Sequence, residues 1–262
     1  EPVPSLLRGF SAPVKLSYHY TDDQLLFLMK YDSDGFNRWD AGQTLSVRIM
    51  ESLIADYQQG RSLSLPASYL GVFESILQDT SLDKSMVSKL LMLPAESYLV
   101  QLSEVADIEA IHHVREFIRA EISSQLHVQL QAVYQQNIAK GQLDLSYKGM
   151  SQRELKNSVL SLMSVSAEKL SSSKGAGSFF ELAQSQFSQA DNMTDSYAAL
   201  SALVNSGNKA LAGKALNDFH QRWKNDAQVI EQWFSVQAAS ASYTDLGSLK
   251  ALMNTIKNIK ML

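Results

Sequence analysis

From Thr21 to Ile259 apolar residues return every three or four positions, and a period of that kind, held over most of a chain, confines it to packed amphipathic helices. The clearest run is Ile108, Ile111, Val114, Ile118, Ile122, Leu126, Leu130 and Val133, which contains no Gly or Pro. It predicts one long helix from Asp107 to Lys140, ended by Gly141, as the spine of the fold. Only five prolines and twelve glycines occur in 262 residues, placed mainly near the N-terminus or between periodic stretches, so long helices are left uninterrupted. With 45% apolar residues the chain can bury a real core.

Boundary residues divide the rest. Thr21 is a candidate N-cap with Asp22 and Asp23 in the first turn, and a second helix carries Leu45, Val47, Ile49, Met50, Leu53, Ile54 and Tyr57 before Gly60 stops it. Pro66 and Pro94 sit where helices begin and Asp83 can cap another, giving three shorter helices. Ser151 and Glu154 have the form of a capping box, and Ser171 to Gly177 reads as a polar loop. Periodic segments follow near Phe179–Phe187, Tyr197–Val204, Leu211–Trp223, Val229–Val236 and Leu246–Ile259. Short connections make neighbours antiparallel, and no fixed template repeats. The expected fold is all-α, an irregular HEAT/armadillo-like superhelix of antiparallel helix pairs with a concave face.

The first twenty residues differ. Pro2, Pro4 and Pro13 exclude helix, and Val14, Leu16, Tyr18 and Tyr20 alternate with Lys15, Ser17 and His19 as in one short β-strand. A single strand cannot satisfy its own backbone, so residues 1–20 are expected to end a preceding β domain and 21–262 to form the helical domain. Both ends are expected to continue in a longer protein, Leu262 truncating the superhelix.

No constellation for chemistry is complete. None of the five histidines is followed by Glu, so the zinc motif H-E-x-x-H is absent, and His112 and His113, which with Glu116 offer donors one turn apart, point about 100° apart on a helix. His19, His127 and His220 stand alone. Gly175-Ala176-Gly177 lacks the strand and Lys-Ser/Thr of a phosphate loop. The sequon at Asn192-Met193-Thr194 is better read as a helix start, with Asn192 or Thr194 capping and Asp195 meeting the positive helix end. Trp39, Trp223 and Trp233 with Phe36, Phe219 and Phe234 read as core aromatics.

A net charge of −4 with alternating signs disfavours nucleic acid, and no stretch is apolar enough to span a membrane. The absence of Cys and of a signal-like N-terminus points to the cytoplasm.

Several segments in fixed order resemble the C-terminal helical domain of bacterial aminopeptidase N, in the alanyl-aminopeptidase branch of the zinc metallopeptidases. They are Pro2 to Leu7 with Phe10 to Leu16, the stretch Phe36-Asn37-Arg38-Trp39-Asp40-Ala41-Gly42-Gln43, Leu63 to Pro66, Asp191-Asn192-Met193-Thr194-Asp195 with Ala198 to Ser201, and Trp233-Phe234 with Gln237-Ala238. The resemblance implies a parent enzyme with one zinc ion that removes N-terminal residues from peptides, in which residues 1–20 finish a β-sandwich and the superhelix closes over the active site. Phe36, Arg38, Trp39, Asp40, Asn192, Met193, Thr194, Asp195, Trp233 and Phe234 are then structural motif residues, and no catalytic, metal or substrate residue carries over. The implied partners are the upstream catalytic and β domains and the parent's peptide substrates. The fragment alone is expected to be inactive and without a cofactor. Its open strand edge and the stripe Leu249, Leu252, Met253 and Ile256 favour self-association. The alternative is a free-standing helical-repeat scaffold that binds a protein partner on its concave face.

Overall fold

Capping side chains decide where the helices start. In the computed structural model, which describes residues 2–9, 14, 16–170, 179–240, 247 and 250–254, Thr21 and Gln24 form a reciprocal capping box at α1 (Asp22–Tyr31). Asp34 caps α2 (Gly35–Gln58), Asp83 caps α4 (Lys84–Leu90) and Asp107 caps α6 (Ile108–Gln125). The carboxyls of Asp34 and Asp107 lie below the ordinary range because the N–H groups of Asn37 and Ala110 donate to them. Gly60 follows α2 at φ +66°, the left-handed conformation that ends a helix with least strain when the residue is Gly. Pro66 is the N-cap of α3 (Ala67–Gln78), one place earlier than expected, and Pro94 precedes the cap of α5 (Glu96–Leu102).

The long spine helix is not continuous. It divides at Leu126, whose φ of −108° and ψ of 19° end α6 and open α7 (His127–Gln136). The periodic stripe survives the bend because the two halves have different neighbours: α6 packs on α2 and α8 (Tyr147–Ser164), whereas α7 packs on α3 and α8. The capping box at Ser151 is not used either. Asp144 accepts from the Ser146 N–H and Ser146 caps α8 a turn earlier, so Ser151 lies inside the helix and donates to the Lys148 carbonyl. Gly149 permits that start, since a Cβ there would come within 2.3 Å of the Asp144 carbonyl oxygen.

After the short α9 (Ala167–Leu170) come α10 (Phe179–Gln189), α11 (Met193–Val204), α12 (Lys209–Trp223) and α13 (Ala227–Ala238). They form two layers. One runs α2, α6, α8, α11, α13, with α4 wedged between α2 and α8; the other holds α1, α3, α7, α10 and α12. Pairs α1–α2, α7–α8, α10–α11 and α12–α13 join the layers, which is the expected stack of helix pairs. Met50, Tyr69, Ile118, Ile122, Leu130, Val159 and Leu200 are completely buried between them. The Tyr69 hydroxyl, raised well above its usual pKa by burial, pairs with Ser46 Oγ at 2.6 Å.

Among the described residues no strand forms. Val14 and Leu16–Tyr20 are irregular, with Val14, Leu16 and Tyr18 exposed, because no second strand among the described residues pairs with them. Residues 5–9 are instead pinned to the α1–α2 turn: Arg8 pairs with Asp32 at 2.9 Å, and Asn37 Nδ2 donates to the Leu6 carbonyl at 2.7 Å. The loop from Ser171 to Gly177 and Leu249 and Ile256 of the C-terminal stripe lie outside the described residues; residues 250–254 are helical and Met253 is exposed.

Candidate functional site

The layer that runs α2, α6, α8, α11 and α13 carries a groove of ≈ 850 Å³ between α4, α6, α8 and α11. Its lining is largely apolar, from Leu91, Leu93, Met150, Leu162, Tyr197 and Ala198. Arg115 and Arg119 stand at one side, where a polar recess of ≈ 420 Å³ continues toward α13. Placed one turn apart on α6, the two guanidiniums share one carboxylate, Glu116, at 3.6 Å and 2.8 Å. Burial first, and then the like charge of Arg119, make the Arg115 guanidinium a weaker base than usual. Its Nε donates to the Pro94 carbonyl at 3.0 Å, which fixes it over the α4–α5 connection. Ser88, Ser158 and Glu154 also line the groove, with Ser88 Oγ and Ser158 Oγ 2.5 Å apart and Glu154 engaged by Ser85 and Lys89. A mostly apolar trough with a few fixed polar groups can hold an extended peptide.

The motif residues fall on different parts of this frame. Arg38 is buried, and its guanidinium donates from Nε to the Met29 carbonyl at 2.8 Å and from Nη2 to the Lys30 carbonyl, closing the end of α1. Trp39 and Asp40 face the other way, into a cavity of ≈ 540 Å³ between α2 and α5. Asn192 accepts from the Asp195 N–H as N-cap of α11, Met193 packs on the core, and Thr194 lines the groove.

Asp195 lies in the first turn of α11, at the positive helix end as expected, and it is also the centre of a buried polar cluster. Lys156 Nζ reaches Asp195 Oδ2 at 2.7 Å, with only 7% and 9% of the two side chains exposed, and Asn157 Nδ2 donates to Oδ1 at 2.8 Å. Gln186 Nε2 donates to Asn157 and to the Asp195 carbonyl, and the Tyr134 hydroxyl donates to Gln186 Oε1 at 2.8 Å. Burial, then the nearby Asp195 charge, push the Tyr134 phenol up to about 12. Helices α7, α8, α10 and α11 are thus tied by one satisfied network.

Of the aromatics read as core, Phe219 is buried at 1% exposure, while Trp39, Trp223, Trp233 and Phe234 are half-buried and Phe36 is 44% exposed. The polar indole N–H explains part of this: Trp233 Nε1 donates to the Leu216 carbonyl at 2.8 Å at the edge of α12. Sequence reading missed Arg115 and Arg119. Their signal was a like-charge pair four residues apart on one helix face, an arrangement that weakens an ordinary surface helix.

Among the described residues the donors do not fit a zinc ion. His112 Nδ1 is paired with Glu96 at 2.9 Å, the His113 ring lies 4.5 Å from Tyr57, and among the described residues no three His, Asp or Glu side chains converge. Among the described residues no helix is long and apolar enough to cross a membrane.

Comparison with known proteins locates the fold. Aminopeptidase N of Escherichia coli K12 is 32% identical over 253 residues, which is 97% of this chain and 28% of that protein. The Haemophilus influenzae aminopeptidase N is 30% identical over the same shares, and that of Caulobacter vibrioides is 33% identical over 90% of this chain and 26% of the relative. The chain therefore spans little more than a quarter of the length of these relatives. Among solved structures, Legionella pneumophila aminopeptidase A in complex with aspartic acid superposes with a TM-score of 0.77 at 30% identity, over 97% of this chain and 29% of that one. The domain family described as a domain of unknown function, DUF3458_C, ARM repeats, matches residues 22–257. With its stacked helix pairs and that match, the chain belongs to the DUF3458_C family of ARM repeats, a helical domain it shares with bacterial aminopeptidases N.

Proposed function

We propose that this chain is the non-catalytic C-terminal domain of a zinc aminopeptidase that removes N-terminal residues from peptides, and that its groove forms a wall limiting what reaches the active site. The observation that carries this reading is the end-to-end correspondence of the chain with 28% of aminopeptidase N. The groove supports it, being apolar along most of its length with Arg115 and Arg119 at one side, as a wall for peptide chains requires. In this reading residues 1–20 complete a preceding β-sandwich and 21–262 form the helical domain. The zinc ion, its base and the anchor for the peptide amino-terminus come from the rest of the parent, so the chain alone is inactive. The parent works in the cytoplasm, and the isolated chain self-associates through surfaces that the other domains cover.

The test uses the whole source protein. Ala198→Trp, from α11 into the groove, is expected to lower kcat/KM several-fold for peptides of six or more residues and to leave a single aminoacyl chromogenic substrate nearly unchanged. Equal loss for both substrates, or no change for either, contradicts a gating wall. A source reading frame that lacks H-E-x-x-H upstream of Glu1 contradicts the aminopeptidase itself.

A further inference from the structure

The motif Phe36 to Gln43 has an inner face buried in the core and an outer face that opens on a cavity. Arg38, Ala41 and Gly42 are buried. Trp39, Asp40 and Val47 line the cavity on α2, and Tyr98, 47% exposed, lines it from α5. Gln43 Nε2 donates to the Met92 carbonyl at 2.8 Å and holds the connection before α5 against α2, so the cavity has two fixed walls. Trp39 is steadied by the Phe36 ring, 5.9 Å away. The Asp40 carboxylate is the feature that does not balance. Among the described residues no cation pairs with it and no donor bonds to it, and loss of water around it raises its pKa. Arg48 lines the same cavity, but its guanidinium is already engaged by Asp22 Oδ1 at 2.9 Å and the Tyr20 carbonyl at 2.8 Å.

Two aromatic side chains beside an unpaired carboxylate make a receptor for an organic cation, since the ring faces attract positive charge and the carboxylate supplies a charge-assisted hydrogen bond. We propose that the cavity between α2 and α5 is a docking site for a basic side chain, arginine or lysine, presented by another protein segment, with its charge on Asp40 and its stem against Trp39 and Tyr98. The site is separate from the groove between α4, α6, α8 and α11, and it stands whether or not the aminopeptidase reading holds. A neutral apolar side chain would leave the carboxylate buried and unpaired, so the site selects charge as well as shape.

The 262-residue chain can be titrated with Nα-acetyl-arginine methylamide, and separately with its neutral isostere Nα-acetyl-citrulline methylamide, while the indole N–H resonance of Trp39 is followed by NMR and assigned through Trp39→Phe. The expected result is a saturable shift with the arginine compound, none with citrulline, and binding about tenfold weaker in Asp40→Asn, the order of a charged hydrogen bond. Because Asp40 is exposed and, among the described residues, no donor bonds to it, that variant keeps its fold, and an unchanged melting curve checks it. Equal shifts with citrulline, no shift with arginine, or full affinity in Asp40→Asn each overturn the proposal.

Discussion

Asp195 and Asp40 both lie in motif segments near the start of a helix, yet the molecule uses them in opposite ways. Asp195 is closed off from water and meets Lys156, Asn157 and Asn192, all from this chain. Asp40 lies on an open face, and among the described residues no cation or donor meets it. A carboxylate whose partners are all supplied internally serves folding, because burying it uncompensated would be costly. One left without a partner beside aromatic rings is available to something outside. A motif can therefore mark a junction in one place and a recognition face in another.

The sharpest way to break this contrast is Asp195→Ala, which leaves the Lys156 ammonium buried and unpaired and is expected to cost about 3–5 kcal/mol in urea unfolding. The double change Lys156→Met with Asp195→Leu should recover much of that loss, because no charge then remains buried. A single-variant cost under about 1 kcal/mol would mean that the cluster does not hold the layers together. Trp39→Ala, on the open face, should cost less, about 1–3 kcal/mol from the half of its surface that packs on the core. A larger loss would show that the outer face is structural after all.

Tyr134→Phe removes one donor from Gln186 and should cost about 0.5–1.5 kcal/mol. In a spectroscopic titration its phenol should ionise only near about 12, after most other tyrosines. The smallest effect belongs to Asp40→Asn. The folded state raises the pKa of this carboxyl, so it binds the proton more readily than the unfolded chain and carries a penalty above its folded pKa. The variant should be slightly more stable than the parent at neutral pH, and the difference should vanish as pH falls below the unfolded pKa. A variant less stable at neutral pH would show that the carboxylate has an internal partner.

The two regions also differ in how far the sequence revealed them. Thr21, Asp83 and Asn192 were legible as caps because a cap needs only its own residue type and the next turn. The bend at Leu126 was not, since the apolar spacing continues through it and the break is imposed by α2 and α3 on either side. Lys156 and Asp195 are far apart in the chain, so nothing local announced their pairing. The same reason hid the groove: α4, α6, α8 and α11 meet only once the layers stack. The N-terminal alternation from Val14 to Tyr20 was real as a pattern, but a strand also needs a partner, and among the described residues there is none.

The charged and polar side chains of this chain build a frame and a groove, and we propose that they perform no chemistry by themselves. The most direct test is hydrolysis of an alanyl chromogenic substrate by the purified chain, with and without stoichiometric zinc, beside the variant His113→Ala. The expected result is no turnover above buffer in any of the three and no zinc retained after dialysis. Zinc-dependent turnover that His113→Ala abolishes would contradict it.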